Sequence, residues 1–264
     1  MTPVVKSQHS TRPTPDWLRA LGRNDLPTSI TLNGCTYRRM KTYKHDFFAA
    51  TGRYESLGSA VVLKMGRTAS LWGLPMGWIG RFLMKREVRL FHRVGSVAGI
   101  PPIVGTWGRT GLVHEYVAGG PLGRRDRPDD AFFPRLQAML EAMHALGVAY
   151  VDLEKPENVL LGEDGRPYLI DFQISWYWPP NRFGDTWIAR RILAILQASD
   201  RYHLLKHWRR ARPDQMDAAL LEEARRLPFW IAWHRAVFRP LTLIRRQVLV
   251  WLGGRTSVRG RSPG

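Results

Sequence analysis

The chain of 264 residues contains a single cysteine, Cys35. One thiol cannot build an intramolecular disulfide framework or a Cys-rich zinc site, so a fold held by its core in a reducing cytoplasm is expected. The length suffices for one sizeable core or two small lobes, and no repeat of solenoid length is visible. Long apolar runs are also missing. No uninterrupted stretch reaches the roughly 18 residues of a spanning helix. The opening residues have no apolar centre behind a basic start, and a secretory signal is therefore not expected. His203 and His207 are four apart, but Leu204 stands where a helical zinc motif needs glutamate; a helix surface carrying two histidines is expected instead. Acidic residues are scarce. Against 40 Lys and Arg stand 22 Asp and Glu, a formal net charge of +18, and no acid lies beyond Glu223.

What is present concentrates in the run YVDLEKPENVLLGEDGRPYLIDFQIS, which carries Asp152, Asn158 and Asp171. An aspartate can handle a proton near a hydroxyl nucleophile, and an asparagine with a second aspartate offers the hard oxygen ligands that magnesium prefers. Val159-Leu160-Leu161 and Tyr168-Leu169-Ile170 are short apolar runs around the turn-forming Gly162-Glu163-Asp164-Gly165-Arg166-Pro167. They predict a β-hairpin that sets Asn158 and Asp171 at neighbouring strand ends.

This order resembles the H-R-D-L-x-x-x-N and D-F-G motifs of protein kinases. Tyr150-Val151 replaces His-Arg, the interval from Asp152 to Asn158 is one residue longer, and Gln173 replaces the glycine. The chain is similar to atypical, bacterial-type members such as the RIO and lipopolysaccharide (Kdo and heptose) kinases, or bacterial serine/threonine kinases. The resemblance implies an α+β, two-lobed fold: a small N-lobe with an antiparallel sheet and one helix, and a mainly helical C-lobe. It implies ATP and Mg2+ as cofactors, with Asn158 and Asp171 on the metal, Asp152 at the acceptor hydroxyl and Lys155 facing the γ-phosphate.

Such a fold needs a strand lysine, a helix glutamate and an apolar hinge upstream, in that order. Ala60-Val61-Val62-Leu63-Lys64-Met65 resembles the V-A-I-K strand, and Lys64 is the candidate for the ATP phosphates. Glu87 lies in an amphipathic segment with Phe82, Leu83, Val88 and Phe91, placed to pair with Lys64. Gly111 to Val117 reads as a buried strand ending at a hinge, whose backbone from Glu115 to Val117 would meet the adenine edge. No G-x-G-x-x-G precedes Lys64. Residues 44–54 occupy that place with one glycine, Gly52, as the candidate for close phosphate approach.

Residues 1–23 read as a flexible lead-in, 24–117 as the N-lobe, 118–223 as the C-lobe and 224–264 as a basic tail. Nine arginines from Arg225 to Arg261 alternate there with apolar residues, and Leu241, Ile244, Val248 and Trp251 recur at helical spacing. The pattern suits an anionic membrane surface, which would make the protein peripheral on the inner face; packing on the C-lobe is the alternative. Nucleic acid is not the expected partner, because no recognition motif accompanies the charge. Leu71 to Gly80 is too rich in Gly and Pro for a regular helix throughout; it reads as a core-packing loop or, through Trp72 and Trp78, a second membrane contact. No A-P-E element follows Ile174, so an extended peptide finds little platform and a lipid-linked sugar or other small hydroxyl substrate gains weight. Asp185, Asp200 and Lys206 are candidates for the acceptor side, or for capping and pairing helices. The lost His-Arg, Gln173 and the sparse glycine also allow a pseudokinase-like scaffold.

Overall fold

The computed structural model describes residues 15–71, 74–123, 126–178 and 186–225. The first half forms one antiparallel sheet of six strands, with β4 and β6 buried on both faces at its centre: β1 (Ser29–Leu32), β2 (Cys35–His45), β3 (Ala49–Ser56), β4 (Ser59–Gly66), β5 (Ile103–Trp107) and β6 (Gly111–Glu115). Their order is β1-β2-β3-β4-β6-β5. Asn33 and Gly34 link β1 to β2 with φ of 50° and 79°, the left-handed pair that a two-residue hairpin requires. Ile30, Tyr37, Tyr54, Val61, Leu63 and Val113 form the core on one side of the sheet.

Between β4 and β5 runs helix α1 (Gly77–Val94). It buries Gly80, Met84, Glu87, Leu90, Phe91 and Val94, the three- and four-residue spacing of a helix face. A Cβ on Gly80 would lie 1.9 Å from the carbonyl oxygen of Arg67, so glycine lets α1 touch the backbone just after β4. Gly80→Ala is expected to lose about 2–3 kcal/mol of stability, because backbone has to move and no flexible side-chain end can yield; urea unfolding would read this.

The second half is mainly helical. Helices α2 (Phe132–Ala145), α3 (Trp187–Ala211) and α4 (Ala218–Arg225) enclose the short strands β8 (Val148–Ala149) and β11 (Trp176–Tyr177), which pair. Phe132, Phe133, Leu136, Met143, Leu204 and Trp208 fill the core, with Phe133 stacked on Trp208 at 5.4 Å. Strands β9 (Val159–Gly162) and β10 (Pro167–Leu169) form the hairpin, joined on its outer side by β7 (Gly119–Pro121). This is the two-lobed α+β architecture of the protein-kinase-like fold. One cluster runs through both lobes, since Met84, Leu90, Phe91 and Leu112 share it with Tyr150 and Phe172.

Three expectations are corrected. Part of the flexible lead-in is ordered: Asp16–Leu18 is a 3-10 turn, and Leu18, Ala20 and Leu21 are buried against the sheet. Trp78 is not in a core-packing loop but in the first turn of α1, exposed to 61%. His203 and His207 are buried, at 6% and 3%, because α3 runs through the C-lobe and not over it. Residues 1–14, Trp72, Asp185 and the tail from residue 226 lie outside the described residues. No helix among the described residues is long and apolar enough to cross a membrane.

Candidate active site

A cavity of about 430 Å³ opens between the lobes. Tyr43, Lys44, Thr51 and Val62 line it from the sheet, Tyr116 and Val117 from the connection between lobes, and Leu160, Ile170, Asn158 and Asp171 from the hairpin. Its size and mixed lining suit a nucleotide-sized ligand.

Lys64 leaves β4 at the back of this cavity and donates to Glu87 Oε1 at 2.7 Å and to Asp171 Oδ1 at 2.6 Å. Burial works against the ammonium charge, but the two carboxylates outweigh it and hold the Lys64 pKa above its usual value. Burial pushes the Glu87 carboxyl up against the pull of Lys64. Burial also acts to raise Asp171, yet Lys64, then Lys44 and Lys155, hold it below the usual carboxylate range. Asp171 is therefore an anion in the neutral range, with φ of 63° at the end of the hairpin. Ile170 N donates to Asn158 O at 3.2 Å, which keeps the two strand ends together.

The residue extra to the kinase spacing is absorbed by two consecutive 3-10 turns, Asp152–Glu154 and Pro156–Asn158, with Lys155 extended between them. Asp152 and Asn158 remain in contact: Asn158 Nδ2 donates to Asp152 Oδ2 at 2.8 Å and to Asp152 O at 3.3 Å. The Asn158 Oδ1 is left as an acceptor. Lys155 Nζ lies 2.7 Å from Asp152 Oδ2. Burial raises the Asp152 carboxyl, while Lys155 and Asn158 pull it down.

Below the loop lies a buried support. Asp200 is wholly buried in α3 and accepts from Tyr150 N and Val151 N, each at 2.7 Å, and from His144 Nε2 at 3.0 Å. It caps the loop backbone from beneath and does not face an acceptor. This bond set supports Val151 at φ 69° and ψ −38°, a γ-turn of positive φ closed by Asp152 N donating to Tyr150 O at 2.8 Å, a geometry that costs about 1–3 kcal/mol. His207 Nε2 donates to Leu153 O at 2.7 Å, and Lys206 stands 3.9 Å from Glu154. Tyr150, in place of histidine, is buried and donates its hydroxyl to Ile170 O. Its ring meets Phe172 at 5.3 Å, and Phe172 meets Phe91 of α1 at 4.7 Å. Arg86 donates to Gln173 O at 2.7 Å and to Ser175 O, so α1 is tied to the segment after Asp171.

Asp152 and Lys155 stand beside the cavity, Asp152 bonded to its lining residue Asn158, and two nucleotide-side candidates, Gly52 and Glu115, do not line it either. Gly52 sits inside β3, and a Cβ there would meet Leu26 and the carbonyl of Lys41. The turn from β2 to β3 is Asp46-Phe47-Phe48, without glycine, closed by Asp46 Oδ1 accepting from Phe48 N and Ala49 N at 2.9 Å each. Glu115 is exposed at the end of β6, and its carbonyl takes a hydrogen bond from His114 Nδ1 at 2.8 Å. His114 itself lines the cavity, and burial lowers its pKa to about 4, so it is neutral. Lys44 and His114 were missed; only the strand register, which decides the facing side, could have revealed them.

Among the described residues there is no cluster of three or more His, Cys, Asp or Glu. A magnesium ion does not require one, since it keeps waters and takes phosphate oxygens beside one or two protein ligands. The ionised Asp171 and the Asn158 carbonyl oxygen fit that partial donor set.

Curated relatives match part of the chain. The chain is 32% identical over 109 residues to a probable cAMP-dependent protein kinase catalytic subunit of Encephalitozoon cuniculi, covering 37% of this chain and 34% of that protein. It is 35% identical over 101 residues to CBL-interacting protein kinase 16 of Oryza sativa subsp. japonica, covering 35% and 22%. Over that stretch the chain is homologous to protein kinases. With CBL-interacting serine/threonine-protein kinase 12 of Arabidopsis thaliana the identity is 34% over 101 residues, covering 35% of this protein-kinase-like chain and 20% of the relative. The chain thus spans about a third or less of these relatives' lengths. No family model matches.

Proposed function

We propose that the chain is an ATP-dependent phosphotransferase that moves the γ-phosphoryl group to a hydroxyl. The observation that carries this is Lys64 reaching Glu87 and Asp171 at once, across the lobes and at the back of a cavity. A loose phosphoryl-transfer transition state needs positioning and charge more than covalent chemistry. In this reading Lys64, fixed by Glu87, orients the α- and β-phosphates. Val117, which lines the cavity beside Tyr116, offers its backbone groups to the adenine edge. Asn158 and Asp171 would hold magnesium, which when bound offsets the charge on the transferring group. Asp152 receives the acceptor proton or orients the hydroxyl, and Lys155 steadies Asp152 until the γ-phosphate arrives.

A pH dependence follows. Asp152 acts only when ionised, and burial raises its pKa, so the acid limb of turnover is expected above the range of an ordinary aspartate. Lys155 holds that carboxyl down. Lys155→Ala is therefore expected to move the limb to still higher pH as well as to lower kcat; a profile of kcat from pH 4 to 8 checks the direction (~10-fold in rate per unit below the limb).

For the acceptor we favour a lipid-linked sugar, as in lipopolysaccharide kinases, over protein serine or threonine. The support is the absence of an A-P-E element after Ile174 and the basic tail, which suits a protein peripheral on the inner face of a membrane. Transfer from labelled ATP into a cell-envelope extract and, separately, into a protein extract tests it. Label in the protein fraction alone would reject the sugar. One observation favours a nucleotide-binding scaffold instead: the glycine-free turn Asp46–Phe48 between β2 and β3. Thermal stabilisation by Mg-ATP without turnover would select that reading.

A further inference from the structure

We infer that the outer face of α1 docks on an anionic lipid bilayer, independently of the tail and of the proposed phosphotransfer. Trp78 and Phe82 are each 61% exposed, one turn apart, and Leu74, just before the helix, is 65% exposed. Lys85 and Arg89 are exposed further along the same helix. At about 100° per residue, Trp78, Phe82, Lys85 and Arg89 fall within about 60° of one another, on the side opposite Glu87. The stripe is thus aromatic in its first half and cationic in its second.

The charge selects the occupant. Glu87 is the one acidic residue of α1, and it is 1% exposed, turned inward to Lys64. Its outer face therefore offers aromatic rings and cations with no carboxylate among them, on a chain of net charge +18. Tryptophan and phenylalanine insert at the headgroup boundary, and lysine and arginine meet anionic headgroups, each cation contributing about 1 kcal/mol near the surface. A protein partner would need acids to complement this face; a bilayer supplies them as a continuous sheet. Because the stripe and Glu87 share one helix, docking would put the Lys64–Glu87 pair about one helix diameter, ~10 Å, from the lipid. A hydroxyl acceptor held in the interface would be within reach of the cavity.

The test is flotation of the full chain with phosphatidylcholine vesicles, with and without phosphatidylserine. The native chain is expected to float with the anionic vesicles, and less so as salt rises. Trp78→Ser with Phe82→Ser is expected to weaken that binding about tenfold or more, as two interfacial aromatics would. Lys85→Glu with Arg89→Glu is expected to weaken binding to anionic vesicles only. All four side chains point away from the cavity, so ATP turnover and thermal midpoint should be unchanged, and lack of turnover in the native chain would reject the phosphotransferase while leaving the vesicle result standing. Native-like flotation of both double variants overturns the inference and assigns the binding to the tail. Binding of single-stranded DNA in place of vesicles overturns it as well.

Discussion

Alanine at Asp171 is expected to reduce phosphoryl transfer by about three orders of magnitude, the effect of removing a preorganised charge at the reacting group. The loss has two parts. The metal would lose its anionic ligand, and Lys64 would keep Glu87 as its partner in the ion pair, so its ammonium would be drawn away from the phosphates. Thermal denaturation with ATP, with and without magnesium, separates the two: the magnesium-dependent part of the stabilisation should vanish in Asp171→Ala while a smaller, metal-independent part remains. Asp171→Asn controls for backbone, because asparagine tolerates the left-handed φ of 63° and alanine does not. If the asparagine variant keeps native turnover, the metal role assigned to Asp171 is wrong.

The second large effect concerns stability. Asp200→Ala strands the Tyr150 and Val151 amides and the His144 ring without their acceptor, inside a fully buried site. A loss of about 3–5 kcal/mol is expected, readable by urea unfolding. Asparagine would not restore it, because its amide would present donors to donors. By contrast Glu223→Ala, which breaks an exposed pair with Arg201, should cost less than about 1 kcal/mol. If the two variants unfold alike, Asp200 is not the support of the loop.

The contrast explains what was legible in the sequence. The hairpin between Asn158 and Asp171, the strand that carries Lys64 and the helix that carries Glu87 are each written within about twenty residues, where turn chemistry and periodicity apply. Asp200 meets Tyr150 across 50 positions, His207 meets Leu153 across 54 and Arg86 meets Gln173 across 87. No local pattern says which loop a helix will lie beneath. The same holds for Gly52, where one position along β3 decides whether a residue faces ligand or neighbouring backbone, and for Lys44, where the bulges in β2, between Arg39 and Lys41 and between Thr42 and Lys44, reset the alternation. Trp78 departs from expectation because glycine and proline before it suggest a loop, whereas Gly77 and Gly80 belong to the helix start.

Arg86 and Glu87 are neighbours in one helix, yet they grip different partners: Glu87 holds Lys64, and Arg86 holds the carbonyls of Gln173 and Ser175. The helix cannot rotate outward by degrees. Any swing breaks both grips together, at about 1.5–3 kcal/mol for each charge-assisted contact. An open, disengaged conformer would then be about 1% of the population or less, and the resting molecule would be a machine already in gear.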